Sequence, residues 1–455
     1  MAIIIIKLYI NIYYYIQIYI YIYNYINRGD KNMFLGFKCK NFTSYYDEAQ
    51  ISMLASSKDE YRELNTFNTG FGELLKSTLI YGANGSGKSN LISAVDFMKS
   101  MVQNSFFDES IIKRCEKFKF RIKSEDEPSM FEIVFIKDDV LYQYGFEISD
   151  NNINGEWLYR KSRRMTPLFI RKGSHYDSIE LKGELTTHAE AIKQHVRENA
   201  LFISTAAMFN IPIAKIVRDW FSNDLHIITP DYDTPADTVS YLETDEKKKN
   251  EVLDFLKRAD FSIEDFELNI KEEKVNEKLA EIISKQLLKN LAAKENTNIN
   301  LKRRLIDLKT KHYVYDDNNK SVDEILLPFV KYQSNGTIKF FELAGPILDS
   351  LKNGKTIFID EIDSRLHCAL VRYIISLFNS IDKNIKNAQL ICTTHDVLLL
   401  EEPIRRDQIW FVQKNQYGES DLYSLNDFKD IRKNDLLLKK YLLGVFGAIP
   451  FIKER

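Results

Sequence analysis

Apolar positions along the chain fall into three rhythms, and each predicts a different element. Unbroken apolar runs at 78–81, 356–359 and 389–393 read as buried strands. Alternating runs read as half-exposed strands. The first, MFLGFKCKNF at 33–42, predicts an edge or half-buried strand; 44–76 is mixed and polar, with loops and short strands. Residues 118–122, 131–136 and 140–148 predict consecutive antiparallel strands, turned by Glu125-Asp126-Glu127-Pro128 and Lys137-Asp138-Asp139. Residues 156–160 and 167–171 extend this β lobe, which the sequence places as an insertion after the glycine-rich turn at 82–89. Helical spacing dominates at 187–222, 246–259 and 276–309. The last has Leu279, Ile282, Ile283, Leu287, Leu288 and Leu291 at i, i+3, i+4. At roughly 1.5 Å per residue it spans about 50 Å, an amphipathic pair or a short coiled arm rather than a long rod.

Residues 3–26 obey none of these patterns. Nineteen of these 24 residues are Ile or Tyr, long enough to raise the question of a membrane span. Tyr, however, prefers the membrane interface to its centre, and Leu, Val, Ala and Gly are almost lacking. Ile and Tyr codons can be written with A and T alone, so the expectation is an over-extended or disordered segment 1–32 with Met33 as the true start. No membrane association is expected.

Composition narrows the class. The 455 residues suffice for two or three lobes, and 63 basic against 65 acidic residues leave no global charge for nucleic acid. The basic runs Lys302-Arg303-Arg304 and Lys309-Thr310-Lys311 read as a solvated helix face, with nucleic-acid contact left open. Cys39, Cys115, Cys368 and Cys392 are scattered without a CxxC pair, as in a reducing cytoplasm.

The chemistry centres on Gly82-Ala83-Asn84-Gly85-Ser86-Gly87-Lys88-Ser89, which fits GxxxxGK[ST] between a strand and a helix opening at Asn90. Backbone N–H groups in such a turn face inward, and the helix dipole adds positive potential for a phosphate. Gly85 and Gly87 permit positive φ or close approach, Lys88 reaches the β/γ-phosphates, and Ser89 ligates Mg²⁺. Gly82, Asn84, Ser86 and Asn90 complete the ATP-binding set. Further along, Thr356-Ile357-Phe358-Ile359-Asp360-Glu361 ends an apolar strand in two acids. Asp360 is expected to hold Mg²⁺ through water and Glu361 to act as general base. The strand 389–393 leads through Thr394 to His395, expected at the γ-phosphate or its attacking water; Asp363 is expected on a loop facing a neighbouring subunit. Ser334-Asn335-Gly336-Thr337 presents a hydroxyl and free N–H groups before a helix. Because the phosphate loop already serves its own nucleotide, a head-to-tail dimer is the economical geometry, with Ser334, Gly336 and Thr337 closing over the partner's ATP.

In this order the motifs resemble ABC-type ATPases, the class of SMC proteins and OLD-type nucleases. MFLGFKCKNF, YQYGFEI, SNGTIKFFELAGPIL and the tail RRDQIWFVQKNQYGESDLYSL…YLLGVFGAIP resemble more narrowly the RloA/AbiLi-like ATPases of bacterial restriction and abortive-infection loci. Gln333 stands where that family more often has Glu, and Gln143 fits a Q-loop poorly because it lies in a strand-like repeat.

The resemblance implies an α/β P-loop fold of ABC type, a mixed sheet flanked by helices, with an antiparallel β lobe and an inserted helical region. The expected organisation is 33–185 for the first half of the head, 186–325 for a helical or mixed insertion and 326–455 for the second half. It implies an antiphage ATPase working beside a separately encoded effector, often a TOPRIM-like nuclease, for which this sequence leaves no room in cis. The alternative is an SMC/OLD-like ATPase in DNA repair or processing, although its long heptad arms are not seen. A transporter subunit would need a smaller insertion between Ser89 and Ser334, and a stand-alone nuclease a second metal cluster.

Overall fold

The computed structural model describes residues 32–161, 163–230, 236–243, 245–260, 262–274, 302–431 and 435–450. The helix Lys88–Asn104 lies between two β-sheets, and its sequence explains why. Leu91, Ile92, Ala94, Val95, Phe97, Met98, Met101 and Val102 are all buried, so the helix is apolar around most of its circumference. On one side is a six-stranded sheet ordered Leu225–Ile228, Thr356–Ile359, Gln389–Thr393, Ser77–Tyr81, Ile409–Lys414, Ser420–Ser424. Its first five strands are parallel and the last is antiparallel. Alternate side chains divide between two cores. Ile80, Phe358, Ile391 and Val412 face the Lys88–Asn104 helix, whereas Leu79, Tyr81, Ile357, Ile359, Leu390, Cys392 and Phe411 face the opposite layer. Burial on both faces is why these strands read as unbroken apolar runs.

The second sheet is antiparallel and seven-stranded: Ile179–Leu181, Met165–Lys172, Asn152–Lys161, Val140–Ser149, Ser129–Lys137, Met33–Lys40, Ala49–Ser52. The lobe is therefore not simply inserted after the phosphate loop, since two of its strands precede that loop. Met33–Lys40 is an interior strand rather than an edge, paired with Ser129–Lys137 and Ala49–Ser52. Buried Gln389 joins the two sheets, accepting from Phe34 N at 2.7 Å and donating to Phe34 O at 3.0 Å and Leu75 O at 3.2 Å.

The layer beyond the parallel sheet is built on the helix Asn335–Asn353, whose Phe340, Phe341, Leu343, Ala344 and Ile347 are buried. Pro346 interrupts it and leaves the Glu342 carbonyl without its usual donor. Thr238 repairs the gap: its hydroxyl lies 3.1 Å from Glu342 O and 2.8 Å from Phe341 O, and accepts from Gly345 N at 2.9 Å. Gly345 is required there, because a Cβ would collide with the Thr238 backbone. A three-stranded antiparallel sheet, Asp265–Lys274, Lys302–Tyr315 and Ser321–Pro328, leads into this helix through the turn Phe329–Tyr332.

Several predicted elements differ. Residues 302–309 form a strand, not a helix, because Leu268 and Ile270 across the hairpin pair with Leu308 and Ile306; residues 275–301 lie outside the described residues, as do 1–31. Lys309 and Lys311 thus sit on a strand beside acids, Lys311 pairing with Glu324 at 2.8 Å. Residues 118–122 are a loop, since Phe118 is buried while Phe120 and Ile122 are exposed and share no covered face. The Phe118 amide finds Asn41 Oδ1 and its carbonyl the Ser124 hydroxyl instead of a neighbouring strand. The helical stretch 187–222 breaks into short pieces around Asn210, at φ 61°, and Pro212, which opens the helix Pro212–Asp219. Among the described residues no helix is long and apolar enough to cross a membrane.

Candidate nucleotide-binding site

The site forms at the carboxyl edge of the parallel sheet, where ligands of open α/β sheets bind. Three adjacent strands deliver it: Ser77–Tyr81 runs into the glycine-rich loop, Gln389–Thr393 leads to His395, and Thr356–Ile359 ends at Asp360 and Glu361. The His395 strand lies between the other two, so the acids are one strand removed from the loop and face it across a gap.

Within the loop, Gly85 and Gly87 have φ of 73° and 114°, the left-handed region in which a side chain is strained. Gly87 caps the helix Lys88–Asn104 but supplies no side-chain acceptor, and no acid stands in the first turn. The first amides of this helix are left for an external anion. The loop is held from behind. A Cβ on Gly87 would collide with the Ser44 and Ser420 hydroxyls, and Tyr45 Oη donates to Gly87 O at 2.9 Å. Asn90 Nδ2 donates to Ser44 Oγ at 2.7 Å, and Ser420 Oγ to Ser86 O at 2.5 Å. Lys88 is buried, its Nζ 2.7 Å from Gly82 O and 3.3 Å from Ala83 O. Burial lowers its pKa, opposed by the charges of Asp360, Glu361 and Asp363.

Opposite the loop, buried Asp360 accepts from Thr393 Oγ1 at 2.5 Å, and the same hydroxyl accepts from Glu361 N at 2.7 Å. One threonine thus fixes both acids. Glu361 has φ 49°, an uncommon conformation for a side chain of its size. The Asp363 carboxylate accepts from His395 N with both oxygens at 3.1 Å, so it tethers the histidine of its own chain. Partial burial lowers the His395 pKa, and the Lys88 charge adds to the shift.

A cleft of about 260 Å³ is lined by Asn84, Gly85, Ser86, Gly87, Lys88, Ser89, Asn90, Glu361, His395 and Lys414. Nine of these ten belong to the expected set, and Lys414 is the addition. Gly82 lies against Val412 and does not line the cleft, and neither does Asp360, which is joined to Glu361 through Thr393. Ser334, Gly336 and Thr337 do not line it. Ser334 caps its own helix, accepting from Thr337 N at 3.0 Å, and Gly336 lies against the Arg365 carbonyl. Gln143 is not near the cleft; it donates to Glu132 in the antiparallel sheet at 2.8 Å. Gln333 donates to Thr310 at 3.1 Å. Thr393, Ser44 and Ser420 act through space from distant parts of the sequence, and no local signal marks them.

The cleft fits a nucleotide with Mg²⁺. It pairs unfilled helix-terminal amides and a buried lysine with the Ser89 hydroxyl and the Glu361 carboxylate. A hydroxyl and a carboxylate suit an ion that takes its remaining ligands from water and phosphates.

A family model described as "AAA domain, putative AbiEii toxin, Type IV TA system" matches residues 77–401. Among solved structures, the SMC head domain from Thermotoga maritima matches at 13% identity over 86% of this chain and 98% of that one, with a TM-score of 0.36. An SMC head solved bound to the C-winged helix domain of ScpA matches at 14% identity over 86% and 97%, with a TM-score of 0.37. No curated protein matches.

Proposed function

The chain belongs to this AAA-domain family, a P-loop ATPase family, and on that premise we propose that it is an ATP-driven assembly switch in a bacterial antiphage system. The observation that carries the reading is the division of the site. The cleft holds a phosphate loop, a general-base candidate and a histidine, while Ser334 and Gly336 stand away from it on the N-terminus of another helix. A second copy, docked head to tail, completes each site with its own Ser334, Gly336 and Thr337.

In this reading the loop amides and Lys88 hold the β- and γ-phosphates. Ser89, and Asp360 through water, would hold Mg²⁺, which would supply positive charge to the phosphates. Thr393 orients the Asp360 carboxylate for that duty. Glu361 accepts a proton from the attacking water, and neutral His395 fixes the water or the γ-phosphate from the far side. Asp363 sets the position of His395 through its backbone. Hydrolysis reports on assembly, because the site is incomplete in one chain.

The biological half of the proposal rests on the family description, which names a toxin of a type IV TA system, together with the resemblance to abortive-infection ATPases. ATP-bound dimers hold or license a separately encoded effector, such as a TOPRIM-like nuclease, and infection shifts the equilibrium. Plating phage on cells that carry the locus tests this. Lys88→Ala and deletion of the neighbouring gene are each expected to abolish protection. Protection by this chain alone would contradict the partner model.

A further inference from the structure

A cation beyond the reach of the family match stands at the same cleft: Lys414, past the match's end at residue 401. The strand Ile409–Lys414 runs parallel beside Ser77–Tyr81 with Phe411 opposite Tyr81. Its last three residues therefore overshoot that strand and follow the flank of the phosphate loop. The approach is close, for a Cβ on Gly82 would collide with the Val412 carbonyl oxygen. The chain then turns, with Asn415 N bonded to Glu419 O at 2.9 Å, and returns as Ser420–Ser424. Ser420 reaches the Ser86 carbonyl from that return strand. The hairpin grips the loop at two points and carries Lys414 between them.

Lys414 lines the cleft of about 260 Å³ and also an adjoining one of about 970 Å³, bounded by residues 82–86 and by Tyr441, Ile449 and Pro450 of the tail. His395 lines both as well, whereas Lys88, Ser89 and Asn90 line only the smaller. Lys414 thus borders both the small cleft and the flank formed by residues 82–86, which Lys88 and Ser89 do not line. The acid nearest in sequence, Glu419, is engaged by Arg121 at 2.5 Å and by Asn415 at 2.6 Å. Lys414 makes no ion pair among the described residues.

We infer that Lys414 is a second phosphate-binding cation, which takes the terminal phosphate of a nucleoside triphosphate on the side opposite Lys88. The inference rests on the triphosphate reading of the loop. A flexible ammonium reaches a phosphate oxygen without a preset geometry, and its charge counts most where the added phosphate places most negative charge. Lys414 therefore distinguishes ATP from ADP, which Lys88 alone does less well.

Titration with mant-ADP, and displacement of it by ATPγS, measures this on the full chain for wild type, Lys414→Ala, Lys414→Arg and Lys88→Ala. Lys414→Ala is expected to weaken ATPγS about five-fold, the upper end for one charge contact at an exposed site, and ADP by no more than about two-fold. Lys414→Arg is expected to restore most of the difference. Wild-type ATPγS affinity in Lys414→Ala, or an equal loss for both nucleotides, overturns the inference while Lys88→Ala still loses binding. If Lys88→Ala binds both nucleotides as wild type does, the reading of the loop fails and the inference falls with it.

Discussion

The phosphate loop and the Ser334 segment both present a helix N-terminus, yet they are built in opposite ways. The loop leaves its helix uncapped and is braced from behind by Ser44, Tyr45, Val412 and Ser420, contributed by segments on either side of it in sequence. Its shape is fixed before any ligand arrives, so binding costs little ordering. Ser334 already satisfies its helix, accepting from Thr337 N, and it is exposed beneath a three-stranded sheet whose edge strand Ser321–Pro328 is open to solvent. A capped terminus has fewer free donors to offer. It serves a phosphate only when docking brings the phosphate to it. On the proposed reading one terminus is a preformed receptor and the other a closing surface.

Substitutions should separate the two. Glu361→Gln should lower ATP turnover by about 10²–10⁴-fold, the usual contribution of a general base, with ATP affinity retained; phosphate release and nucleotide titration check the split. Lys88→Ala should act on binding instead, weakening ATPγS by roughly two orders of magnitude, since it removes a buried cation charge-bonded to the phosphates. Thr393→Val strips the hydroxyl that joins Asp360 to Glu361 and should raise the Mg²⁺ concentration for half-maximal turnover by about ten-fold. Ser334→Ala tests the other terminus. It should cost about 1 kcal/mol of stability as a lost cap, visible in denaturant melts, and reduce turnover without altering the nucleotide affinity of a single subunit.

The smallest effect concerns pH. Desolvation and the Lys88 charge disfavour protonated His395, so its pKa lies below the ordinary value of 6.5. Neutral imidazole therefore persists as pH falls to 6.5, and turnover should decline only below that point. The part of the acid limb set by His395 should disappear in His395→Gln, leaving that of the Glu361 base; a wild-type inflection above pH 6.5 would contradict the assignment.

How much of this was legible in the sequence follows from the range of the forces involved. The loop, the Asp360 strand and the His395 strand are local signals: continuous apolar runs ending in chemistry, in an order that only one sheet edge reconciles. The helical spacing of Leu279, Ile282, Ile283, Leu287, Leu288 and Leu291 carries the helix expectation on to 309, whereas Leu305, Ile306 and Leu308 lie in a strand. Pairing with Leu268 and Ile270, some 40 residues away, decides between them. The loop at 118–122 shows the reverse error, in which alternation without a common buried face makes no strand. Thr393 reads as part of a buried strand, yet its role depends on Asp360 arriving beside it. Ser44, Ser420 and Lys414 reach the loop from elsewhere in the chain, and nothing in their own neighbourhoods announces that.

On the proposed reading two copies share each site, and the association state of Glu361→Gln reads this out. Light scattering on the eluting protein, with saturating ATP and Mg²⁺ and then without nucleotide, should show a dimer in the first case and a monomer in the second. Addition of Ser334→Arg should restore the monomer while ATP remains bound. A Glu361→Gln protein that binds ATP and stays monomeric at every concentration would contradict the shared site.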